Sequence, residues 1–171
     1  MKGAADMVEM KADIAGVVES TVVETFNGML GQKVVSADAR AGAGAGPDSR
    51  VYACLLLDQN YGASANFCFT FDDKLLARTA AAFYPPEQAR EKRVHEDIAC
   101  AVANIVGSRV KTCLNKYGHS FEMAVPFVAA CGAVKGIARE DVVHLHFSWD
   151  DNKGEGVIVD FGMDERPAGN C

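Results

Sequence analysis

The chain has 171 residues, 49% of them hydrophobic and 23% charged, with a formal net charge of −6. That balance suits a soluble globular domain with one filled core, built as one unit or as two similar halves. The basic residues are scattered, densest at Arg90, Lys92 and Arg93, which argues against nucleic acid as the main partner, and no apolar run is long enough to span a bilayer.

The opening MKGAADMVEMKAD lacks the apolar stretch of a signal peptide, so the cytoplasm is the expected compartment. From about Val8 to Leu30 the spacing of Ile14, Val18, Val22 and Met29 predicts an amphipathic helix, weakened and ended by Gly28 and Gly31. Lys33 to Ala37 is short and β-branched. ARAGAGAGPDSR, about residues 39–50, has nothing to bury and reads as a flexible loop. It lacks the lysine and helix start of a phosphate-binding loop. Val51 to Leu57 reads as a buried strand, and Ala63 to Phe71 alternates with Phe67, Phe69 and Phe71 on one face. Asp72 or Asp73 then caps a helix running to Phe83, closed by Pro85 and Pro86.

The order restarts after this break. A long helix is predicted from about Val94 to Tyr117, stopping at Gly118. Phe121 to Val128 looks extended, with Pro126 marking an edge or a strand end. Val143, Leu145, Phe147 and Trp149 alternate with His144, His146, Ser148 and Asp150 as a half-buried strand, and Gly156 to Phe161 forms another. Short strand connections and long helices predict an α+β fold. Its sheet would be largely antiparallel, with helices on one face and two halves of the same order.

Six cysteines occur without a CxxC, five of them in apolar or Ala-rich segments, which reads as buried reduced thiols rather than a disulfide frame or metal site. The terminal Cys171 is expected to be exposed. His144 and His146 share a strand face, a metal-compatible spacing, but no third ligand converges on them in the sequence. A water-facing strand surface is the preferred reading.

A polar stripe occurs twice on the helices. Ser20, Glu24 and Asn27 form one copy, and Asp97, Ala101 and Asn104 the other, with alanine at the position of the carboxylate. On an α-helix turning about 100° per residue, each triplet falls within about 60° of one face. A carboxylate and a carboxamide one turn apart could then enter the same partner.

The run DIACAVANIVGSRVKTCLNKYGHSFEMAVPFV resembles the long helix and following Pro-containing strand of the CheC/CheX/FliY family, bacterial chemotaxis phosphatases acting on a phosphorylated response regulator. That family's signature is D/S-x3-E-x2-N on a helix, a small-residue turn, a K-T-like helical continuation and a strand ending near proline. Asp97, Asn104, Gly107, Lys111, Thr112, Gly118 and Pro126 match it, and Ala101 departs from it. The likeness covers about residues 8–164 and is greatest to CheX.

The resemblance implies one CheX-like domain over residues 1–171, pairing as a homodimer through its sheets. It also implies a phosphorylated CheY-like receiver as partner, with Mg²⁺ supplied by the receiver and no cofactor of the chain's own. In such phosphatases an Asn enters the receiver's active site to position water, while a Glu pairs with the receiver's lysine. Carried over, Asn27 and Asn104 are the candidate water-positioning residues, Glu24 the carboxylate, and Ser20 and Asp97 receiver-binding residues. Glu96 and Asp97 lie on the preceding turns, at the wrong height to replace the carboxylate missing at Ala101. CheX-type members usually carry the degenerate motif on the first helix, so this chain inverts the expected assignment. The readings left open are an acyl-phosphate phosphatase, a catalytically silent receiver-binding or dimerisation module, and a flagellar-switch type scaffold.

Overall fold

The computed structural model describes residues 2–38, 49–59, 63–118, 120–130, 139–149 and 154–165. Helix α1 (Lys2–Glu24) continues into a π-helical turn (Thr25–Met29) that ends near Gly31, whose φ of 67° is left-handed. The helix therefore begins a turn and a half earlier than its apolar spacing suggested. Strand β1 (Val34–Ala37) follows, and the predicted glycine loop falls, but for its last residues, outside the described residues.

Strands β2 (Arg50–Asp58) and β3 (Ala63–Asp72) form an antiparallel hairpin. Asp72, the residue before α2 (Asp73–Phe83), caps it by accepting from the Lys74 N–H at 3.0 Å. A single turn, α3 (Pro86–Ala89), leads to α4 (Lys92–Lys116), which stops before Gly118 at φ 79°. Short strands β4 (Glu122–Met123) and β5 (Phe127–Ala129) flank Pro126, and β6 (Val143–Trp149) and β7 (Gly154–Glu165) complete the described sheet.

That sheet is antiparallel throughout, in the order β1-β6-β7-β3-β2-β4, with β5 also on β2. Proline thus lies on the edge, where a missing N–H breaks no ladder. The strands alternate as their sequences require. Val51, Ala53, Leu55 and Leu57 of β2 are buried, as are Phe67, Phe69 and Phe71 of β3 and Val157, Val159 and Phe161 of β7. They pack under Ile14, Val18, Val22 and Phe26 of α1 and Val102, Val106, Val110 and Leu114 of α4 in one apolar core.

Gly107 departs from the expected small-residue turn. Helix α4 runs straight through it, and the glycine instead allows close approach to the sheet: a Cβ there would lie 2.2 Å from Leu55 Cδ2 and 2.8 Å from Met123 Sδ.

Among the described residues no helix is long and apolar enough to cross a membrane. Cys54, Cys68, Cys100 and Cys113 form no disulfide among the described residues, and burial pushes the last three above their usual range. Cys131 and Cys171 lie outside the described residues.

Candidate functional site

Helices α1 and α4 pack antiparallel, since Asp13 meets Tyr117 while Glu24, farther along α1, meets Arg109. Each polar stripe lies on the exposed side of its own helix. The two stripes differ in what their side chains are doing.

On α1, Ser20 is exposed and its hydroxyl donates back to the Val17 carbonyl at 3.2 Å. Glu24 is exposed, with Oε2 3.4 Å from Arg109 Nη1. This pair is about 60% exposed on both sides (59% and 61%), so it holds the carboxylate only loosely. Asn27 lies inside the π-helical turn, where bonds run from residue i to i+5, as from the Leu30 N–H to the Thr25 carbonyl. Its amide is also engaged. Nδ2 donates to the Val23 carbonyl at 2.9 Å and the Val34 carbonyl at 2.8 Å, and Oδ1 accepts from the Val34 N–H at 3.2 Å. Asn27 ties the end of the helix to the start of β1.

Helix α4 is regular, so Asp97, Ala101 and Asn104 do share one exposed face. Val102, Ala103 and Val106 beside them are buried. The Asn104 carbonyl accepts from the Ser108 hydroxyl at 2.9 Å, while its side-chain amide makes no hydrogen bond among the described residues. A neutral amide presented this way can both donate and accept without titrating. The structure therefore brings together neither copy of the full triplet as a free group. The first has its carboxylate exposed and its amide bound; the second has its amide free and a methyl where the carboxylate would stand.

Two features of the surface are not carried by the sequence pattern. Arg109, the partner of Glu24, has no signal of its own in the chain. The cationic run at Arg90 and Lys92 is plain in the sequence, but its meeting with Arg50, forty residues earlier, is a product of the fold. His144 and His146 lie on the sheet face away from the helices. Their Nδ1 atoms are 2.5 Å from Asp160 Oδ1 and 2.6 Å from Glu155 Oε1, so each carries its hydrogen on Nδ1 toward a carboxylate. Among the described residues no three His, Cys, Asp or Glu side chains are grouped to hold a metal ion.

No family profile matches the sequence, and no curated protein sequence matches it. Solved structures do match by fold. The chain resembles chemotaxis protein CheX from Vibrio vulnificus at TM-score 0.68 and 14% identity, over 89% of this chain and 99% of that one. CheX from Desulfovibrio desulfuricans matches at TM-score 0.63 and 16% identity, over 89% and 99%. A chain of the CheX–CheY–BeF3–Mg²⁺ complex from Borrelia burgdorferi matches at 0.62 and 15% identity, over 92% and 97%. The chain has the fold of CheX and CheC-like chemotaxis proteins.

Proposed function

We propose that this chain is a CheX-like member of the CheC/CheX/FliY family, which binds a phosphorylated CheY-like receiver through the exposed α4 face and hydrolyses its acyl phosphate slowly. The observation that carries this reading is the contrast between the two amides: Asn104 is free at the surface of a regular helix, and Asn27 is held by three hydrogen bonds.

In this reading the receiver brings the aspartyl phosphate and its Mg²⁺. The Asn104 side-chain oxygen accepts a hydrogen from one water and turns that water's lone pair toward phosphorus. The new O–P bond forms in line as the bond from phosphorus to the aspartate carboxylate breaks, and the water's proton leaves to solvent. Such a reaction depends mainly on positioning and charge compensation, which an amide can supply in part without ionising. With alanine at 101, nothing one turn before Asn104 meets the receiver's lysine, so positioning survives and the charged contact is lost.

The test is phosphate loss from a Mg²⁺-loaded phosphorylated receiver, with and without this protein. Asn104→Ala is expected to abolish any acceleration, and Ala101→Glu to raise it about tenfold by adding one charge-assisted contact. Acceleration that persists in Asn104→Ala would move the chemistry off α4. Ala101 itself favours a second reading, a receiver-binding module without turnover. Binding to the phosphorylated receiver with unchanged decay would establish that one.

A further inference from the structure

A cleft of about 420 Å³ opens beside the start of α4, between the corner formed by α2, α3 and α4 and the first residues of β2. Its floor includes buried His95, whose Nδ1 is 2.7 Å from Asp73 Oδ1 and whose Nε2 is 2.8 Å from the Ala89 carbonyl. Both neighbours are hydrogen-bond acceptors, so the ring bridges the Asp73 carboxylate and the Ala89 carbonyl. That ring holds the Asp73 carboxylate in place. Glu96 is compensated by Lys92, whose Nζ is 3.6 Å away.

Two guanidinium groups line the walls, one of them paired. Arg50 pairs with Glu155 at 4.0 Å, while the Arg90 side chain makes no ion pair among the described residues. Tyr52 lines the same wall with a hydroxyl that can donate. Among the lining side chains three cations, Arg50, Arg90 and Lys92, face two carboxylates, Asp73 and Glu96, on a chain of net charge −6, and fields focus in such clefts. The volume is that of a small-molecule pocket, and arginine forks match phosphate oxygens two at a time.

We propose that this cleft binds a small phosphate-bearing anion. It is separate from the α4 face around Asn104. His95 and Asn104 are nine positions apart, about 13 Å along the axis and on opposite sides of the helix. The proposal therefore stands or falls independently of the receiver reading.

Calorimetric titration of the full chain with pyrophosphate, in chloride buffer of constant ionic strength, tests it. Saturable one-to-one binding is expected. Arg90→Ala should weaken it about tenfold, as loss of one charged hydrogen-bonding group does. Arg93→Ala removes an exposed cation that does not line the cleft and should leave binding unchanged. The Arg90 side chain is exposed and unpaired among the described residues, so its variant should fold, which circular dichroism checks. Absence of saturable binding, equal loss in Arg93→Ala, or no loss in Arg90→Ala would overturn the site. Citrate binding as tightly as pyrophosphate would overturn the assignment to phosphate.

Discussion

Asn27 and Asn104 look alike in the sequence and do different work in the fold. Each follows an apolar helical stretch and each is exposed, yet one amide spans the 2.8–3.2 Å gap to Val34 while the other faces outward. Removing Asn27 would leave the Val34 N–H and carbonyl without their partner at a strand end. Asn27→Ala is expected to destabilise the chain by about 1–2 kcal/mol, read as a lower urea midpoint, while leaving receiver phosphate decay unaltered. Loss of decay activity without loss of stability would return the chemistry to α1. The candidate positions themselves could be read from residue type and spacing. Which amide was free could not, because the answer depends on a strand seven residues on and on a π turn that periodicity assumes away.

At the scale of elements, the helices and strands were legible wherever apolar residues repeat strongly. Helix α4, the β2–β3 hairpin and β6 fall within a residue or two of their expected limits, because burial of one face dictates the period. How the helices are fastened together was not legible. Near one end of their crossing the Tyr117 hydroxyl donates to Asp13, which, with some burial and the charges of Asp13 and Glu9, raises the tyrosine from 10.0 to about 12. A raised folded value means that the protonated phenol is favoured in the native state. The stabilisation is therefore fully present below the unfolded value near 10.0 and is lost as pH rises through about 12. Denaturation of the parent chain and Tyr117→Phe should accordingly differ below pH 10.0 and converge toward about 12. Curves that remain parallel across that window would mean that the bond does not couple the helices.

The whole molecule is held by pairings that span most of the chain. Strand β1 is joined to β6 more than a hundred residues later, and β2 to β4 and β5, so the strands of the two halves interleave in one sheet. Such order follows from how the layers fit, which local periodicity does not encode. The fit is closest where α4 crosses β2 at Gly107. Alanine would there gain about 1 kcal/mol of helix propensity, but its Cβ would enter the space of Leu55 and Met123, and overpacking a core costs about 1–3 kcal/mol. The packing cost outweighs the local gain, so Gly107→Ala should lower the urea midpoint with the slope of the transition unchanged. Gly16 is the control, because it lies on exposed regular helix in α1 with nothing within 4 Å of a built Cβ. There the propensity gain acts alone, and Gly16→Ala should raise the midpoint by about 0.5–1 kcal/mol in stability. If both variants raised it, α4 would have room to lift from the sheet, and the tight layer contact would not be what seats the face that carries Asn104.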